Sequence, residues 1–193
     1  MLSMRKYIPS GFKNSEEFEK VGNLLNLLSK EIASPFITPV SKLIYIIDEL
    51  SIAETGFPVT GLDYKVARLG PLATVVYDDI RHANDFFQDF ISVTSTPSSC
   101  KIQPNSKHAF SDLLFTDYEI ELIFRVIKDF GSKSGEELID YTHREGSPWQ
   151  LACLKNKIHF SDDDNEPNVT SYFVDFTPLL DSDLKRQDRK SVV

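Results

Sequence analysis

The sequence predicts a mainly α fold, a compact domain of about six helices with a small β-hairpin or extended arm near residues 57–69. Three observations predict it. Apolar residues recur at three- and four-residue steps through several segments, the pattern of helices that bury one face. Helix-start signals, "TDYE" at 116, "SGEE" at 134 and "SPW" at 147, stand at the head of such segments. Between two of the helical stretches lies "VTGLDYKVARLGP", 59–71, an alternating run bracketed by Thr60-Gly61 and Gly70-Pro71.

In chain order, Ser15 is the expected cap of a first helix whose apolar face runs from Phe18 through Val21, Leu24 and Leu28 to Ile32. "ASP" at 33–35 breaks it, and Thr38-Pro39 restarts the chain as cap and first helical residue. Val40, Leu43, Ile44, Ile47 and Leu50 then define a second helix that Thr55-Gly56 ends. The run from Val59 to Arg68 reads as strand-turn-strand or an extended arm. Gly70-Pro71 is expected to launch a further helix whose stripe is Leu72, Val75, Val76, Ile80, Ala83, Phe86, Phe87 and Phe90. Residues 92–110 are turn-rich and read as a loop with one irregular strand pair. Capping boxes at Thr116 and Ser134 open two more helices, the first stopped by Gly131 in the C′ position, and Ser147-Pro148 opens another. Beyond Asn156, "SDDDNEPN" reads as a solvated loop, "VTSYFVDF" as a strand, and "DLKRQDRKSVV" as a frayed tail.

Composition bounds the function. A chain of 193 residues with 41% hydrophobic and 26% charged residues is in the globular range, and a net charge of −8 with a pI near 5.0 repels duplex nucleic acid. Cys100 and Cys153 form no C-x-x-C pair and suit a reducing compartment. The N-terminus has no apolar stretch after its charges, and no apolar run nears the roughly 18 residues of a membrane span. A cytoplasmic protein with no membrane partner is expected.

Chemistry is weighed against plainer roles. His82, His108, His143 and His159 are scattered outside any metal-ligand spacing, so no metal site is expected. "DDDNEP" from Asp162 has Pro167 where a calcium loop needs Gly and Phe173 where it needs Glu. No nucleophile elbow, phosphate-binding loop or dinucleotide fingerprint is present, so no catalytic residue and no cofactor are assigned. Cys100 and Cys153 are each expected to be small buried apolar residues, and although Cys100 lies in a Ser/Pro loop that leaves room for exposure, no base signature accompanies it. Asp78-Asp79 reads as a solvated helix face. Trp149 is expected to plug the joint between the two preceding short elements, with His143 hydrogen-bonded nearby to hold the turn.

Two stretches together resemble the hallmarks of the Panacea domain of SocA-like antitoxins and phage-associated proteins. "SKLIYIIDELSIAETGFPVTGLDYKVARLGPL" carries Lys42, Leu43, Tyr45, Asp48, Gly56, Val59, Thr60, Gly61, Tyr64, Gly70 and Pro71, and "FTDYEIELIFRVIKDFGSKSGEELIDYTHREGSPWQLA" carries Phe130, Gly131, Ser134, Glu137, Leu138, Thr142, His143, Pro148 and Trp149. Leu69 departs from the aromatic residue that the family more often has before Gly-Pro. The resemblance implies a domain over 36–155, preceded by an N-terminal helical extension, 1–35, and followed by a C-terminal extension and tail, 156–193. It implies a protein that acts by binding, without catalysis: an antitoxin whose partner is a cognate toxin, with a protease as a second partner where the antitoxin is a proteolytic adaptor. It marks Lys42, Tyr45, Asp48, Thr60, Gly61, Tyr64, Gly70, Pro71, His143, Pro148 and Trp149 as structural or partner-binding positions. Tyr64 is an anchor or an exposed contact, and alternation, which puts it on one face with Val66, favours the anchor. Interface candidates are the arm and the Phe86, Phe87, Phe90 stripe. Residues 1–33 hold one helix, too little for a helix-turn-helix unit, so no DNA binding is expected. The competing readings are a phage-associated or host-interaction factor with a non-toxin partner, and an enzyme centred near His143.

Overall fold

A computed structural model describes residues 9–96, 99–160 and 168–180. Among these residues lie seven helices and five short strands, mainly α with small β elements, as the sequence predicts. Helix α1 (Ser15–Glu31) is capped one residue earlier than expected: Asn14 accepts the amide of Glu17 at 2.8 Å, and Ser15 is already helical. Its Phe18, Val21, Leu24, Leu25 and Leu28 join the same core as the rest of the chain. Two buried asparagines on α1 fasten distant loops, Asn26 donating to the Phe90 carbonyl at 2.8 Å and Asn23 accepting the Ser111 amide at 3.0 Å.

Helix α2 (Ile37–Thr55) is the axis of the fold, buried almost all round from Pro39 to Ile52, which is how a central helix differs from a surface one. It does not start at Thr38-Pro39. Phe36 is its cap in an extended conformation, bridged to Lys101, and Pro39 is the third helical residue, where an amide has no intrahelical acceptor anyway. Gly56, left-handed at φ +88°, ends the helix as expected.

Strands β1 (Lys65–Ala67) and β2 (Gly70–Leu72) form the hairpin, in register Lys65 with Leu72 and Ala67 with Gly70. The paired residues are thus the C-terminal part of the expected arm and three residues beyond it. Pro71 does not launch a helix. It sits on an outer strand of the sheet, where a missing N–H breaks no ladder, and helix α3 (Thr74–His82) follows without a side-chain cap. That helix ends at Ala83 in the left-handed region, so Phe86, Phe87 and Phe90 lie on turns after it, with Phe87 and Phe90 in the core. Phe87 and Phe90 leave the list of interface candidates, while Phe86 is half-buried against the core. Asp79 is no solvated residue either: its carboxylate, 4% exposed, accepts the amides of Phe86 at 2.8 Å and Phe87 at 3.3 Å and holds that turn, and burial raises its pKa.

Strands β3 (Ile91–Ser95) and β4 (Cys100–Pro104) pair antiparallel, the strand pair expected within 92–110. Cys100 is fully buried there, as expected of a small apolar residue. Helices α4 (Asp117–Phe130) and α5 (Gly135–His143) open with complete capping boxes at Thr116–Glu119 and Ser134–Glu137. Gly131 closes α4 as the cap itself in the right-handed region, not as a left-handed C′ residue. Ser147 caps helix α6 (Pro148–Asn156), with Pro148 in its first turn. The chain then returns as β5 (Val169–Phe173), which pairs with β1 to make the order β2-β1-β5, and ends in a turn of helix α7 (Thr177–Leu180). The expected acidic loop from Asp162 and the frayed tail fall outside the described residues, apart from Asn168. No helix among the described residues is long and apolar enough to cross a membrane.

Candidate functional site

The marked residues gather into two buried clusters along α2, at three-residue steps. The first is a carboxylate knot around Asp48, which has no exposed surface. Its oxygens accept the Thr60 amide at 2.8 Å, the Thr60 hydroxyl, and the Tyr64 hydroxyl at 2.7 Å. Burial raises the Asp48 pKa, and these donors counter that rise by favouring the carboxylate. The knot ties residues 59–64 to α2, with Gly61 turning the chain at φ +69°. Tyr64 is buried, and its ring meets Tyr45 edge-on at 5.2 Å between centroids. Burial, with the Glu49 charge nearby, raises the Tyr45 pKa well above its ordinary value.

The second cluster surrounds Gly70. Lys42, only 3% exposed, crosses from α2 and donates to the Pro71 carbonyl at 2.9 Å, which is the acceptor an outer-strand proline leaves free. Thr142 and His143 at the end of α5 close in from the other side. A Cβ built on Gly70 would lie 2.7 Å from Thr142 Oγ1, 2.9 Å from Lys42 Nζ and 3.2 Å from His143 Nε2. Burial lowers Lys42 to about 7, and burial together with the Lys42 charge lowers His143 to about 4. Trp149 lies flat on His143 at 3.7 Å and donates its indole N–H to the Ala67 carbonyl at 3.0 Å. Trp149 therefore joins the α5 and α6 ends to β1. His143 holds the turn by stacking and not by a hydrogen bond from Nε2, which is buried without a partner among the described residues.

Two residues of this region escaped the sequence reading. Glu49, 2% exposed, pairs with Arg144, whose guanidinium also lies over the Tyr141 ring at 4.2 Å. The signal was a pair of acids, Asp48 and Glu49, inside the apolar run "LIYIIDEL", since a buried charge requires a partner. Ser41, beside Lys42, is likewise buried, and its hydroxyl has no partner among the described residues.

Two expected outcomes arise here. Trp149→Ala removes the stack, the indole hydrogen bond and a half-buried ring, and is expected to cost about 3 kcal/mol in urea denaturation. His143 titrates lower in the fold than in the unfolded chain, so the unfolded state binds more protons between pH about 4 and 6.5. Its contribution is intact above pH 6.5 and is lost as pH falls toward about 4. Melting temperatures of the native protein should therefore fall over that window more steeply than those of His143→Phe, which keeps an aromatic ring on Trp149 and removes the titration.

The clusters leave most marked side chains without solvent contact. What they organise is the hairpin, whose tip residue Leu69 is 54% exposed. A comparison with curated proteins and with solved structures finds no match. A comparison with protein families finds one: the family model described as antitoxin SocA-like, Panacea domain, matches residues 40–150, more than half of the chain, and its span contains both clusters. The chain belongs to the SocA-like antitoxin, Panacea-domain family.

Proposed function

We propose that this protein is an antitoxin that neutralises a cognate toxin by direct protein–protein binding, in the cytoplasm and without catalysis. The observation that carries this reading is the family match over residues 40–150. The acidic balance supports it, since a net charge of −8 suits a basic partner. The hairpin supports it as well. Its base is clamped by Lys42, Trp149 and β5, and a rigid base presenting an exposed Leu69 loses little entropy on docking. His143 is a poor general base where it stands, flat against Trp149 and lowered to about 4. In this reading neutralisation proceeds by occlusion of the toxin or by its delivery to a protease, and operator DNA is not bound.

The test is co-expression with the product of the adjacent reading frame. The expected result is growth arrest by the neighbour alone, rescue by this protein, and stoichiometric co-purification. A harmless neighbour with nothing co-purifying would overturn the antitoxin role and favour a host-interaction factor with another partner. Tight, salt-sensitive retardation of its own promoter fragment would overturn the absence of DNA binding.

A further inference from the structure

Beside the second cluster, a half-open cleft of about 110 Å³ lies between α2 and the hairpin. Leu69, Leu72 and Val169 form apolar walls, and Ser41, Lys42 and Gly70 also line it. Three features of this place remain unexplained by the fold alone. Among the described residues, the buried Lys42 ammonium makes one hydrogen bond, to the Pro71 carbonyl, and no carboxylate pairs with it. The Ser41 hydroxyl, on a residue 5% exposed, has no partner among the described residues. The His143 imidazole Nε2, 3.2 Å from a Cβ built on Gly70, has none among the described residues either. Buried charges and hydroxyls are normally satisfied, because leaving them unpaired costs more than the hydrogen bond itself returns.

We propose that this cleft is the seat for a glutamate side chain of the protein partner, its carboxylate meeting Lys42 and Ser41 and its methylenes lying against Leu69, Leu72 and Val169. The proposal rests on the reading that this protein acts by binding another. One ammonium and one hydroxyl match a single carboxylate, whereas a phosphate group would ask for more donors. The walls are mostly apolar, which suits a short aliphatic stem and disfavours a bare ion. The location fits a protein ligand, since the exposed Leu69 at the mouth continues the cleft onto the surface of the hairpin tip. A carboxylate placed there also restores the charge that burial makes unfavourable on Lys42.

The test has two arms. In the first, the full chain with labelled lysines is titrated with N-acetyl-glutamate amide, and the Lys42 side-chain resonance is followed by NMR. A saturable shift with a dissociation constant near about 1 mM is expected, with N-acetyl-glutamine amide weaker by about tenfold. No shift at Lys42, or equal shifts with the two amides, would overturn the proposal whatever the partner is. In the second arm, Leu69→Asp places a competing carboxylate at the mouth without touching the buried groups. The expected result is about a tenfold loss of affinity for the co-purifying partner at unchanged stability in urea. If the glutamate probe binds and Leu69→Asp leaves partner affinity intact, the cleft takes a free carboxylate and the assignment to the partner is overturned. If the partner co-purifies while the probe is silent, the inference falls and the antitoxin reading stands. If no partner co-purifies, the antitoxin reading falls and the first arm alone decides whether the cleft recognises glutamate.

Discussion

Asp48→Ala is expected to destabilise the protein by about 3–5 kcal/mol, a large part of the stability of an ordinary domain. The alanine removes the acceptor of three hydrogen bonds at once and leaves the Thr60 amide, the Thr60 hydroxyl and the Tyr64 hydroxyl buried. Each orphaned donor costs roughly 1–3 kcal/mol, although the Tyr64 hydroxyl keeps a longer contact of 3.4 Å with the Ile44 carbonyl, so the sum is not reached. Asp48→Asn keeps the shape and one acceptor and should cost roughly 1–2 kcal/mol. Urea denaturation of both variants measures this. A loss below about 1 kcal/mol for Asp48→Ala would mean that residues 59–64 are held by something other than the knot. The pH behaviour gives a second check. Burial raises Asp48 above 3.8, so in the window between that value and its folded pKa the native state binds more protons than the unfolded one. Its contribution therefore grows as pH falls through that window, opposite in sign to that of His143, and Asp48→Asn removes it.

The sequence was most legible where a local rule had no competitor. The capping boxes at Thr116 and Ser134 and the Ser147-Pro148 start each contain both halves of the interaction within four residues, and all three open the helices they announce. Proline was harder to read. Pro39 and Pro71 both look like helix openers, because a first-turn position and an outer strand demand the same things, a fixed φ and no donor. Only the pairing of β2 with β1 tells them apart, and that pairing is a tertiary fact. The stripe from Leu72 to Phe90 misled in a similar way. Its spacing stays helical past Ala83, while the chain turns there through two left-handed residues, Ala83 and Asp85. Asp79, read as solvated, is what stabilises that turn. Within the site, the marked positions were legible as a set through the family resemblance, but not as two clusters. Ser41 and the Glu49–Arg144 pair carry no spacing signal, the two members of the pair standing 95 positions apart.

Gly70→Ala is the companion prediction, and Gly146→Ala is its control. Both glycines have positive φ, +98° and +74°, so each alanine incurs the backbone strain of the left-handed half of conformational space, about 1–2 kcal/mol. Around Gly146 no atom of the described residues lies within 4 Å of an added Cβ, so strain is the whole effect there. Around Gly70 the same methyl meets Thr142 Oγ1 at 2.7 Å and Lys42 Nζ at 2.9 Å, and neither can retreat freely. Thr142 is fully buried and donates to the Ile139 carbonyl at 2.9 Å, and Lys42 is held by the Pro71 carbonyl. Overpacking of that kind adds roughly 1–3 kcal/mol. Gly70→Ala should thus lose about 2–5 kcal/mol in urea denaturation, well beyond Gly146→Ala. Equal losses in the two variants would mean that the cluster around Gly70 yields without cost, and that the close meeting of Lys42, Thr142 and His143 does not hold the hairpin in place. A larger loss at Gly70 would tie the rigidity of the exposed tip to the absence of one side chain at its base.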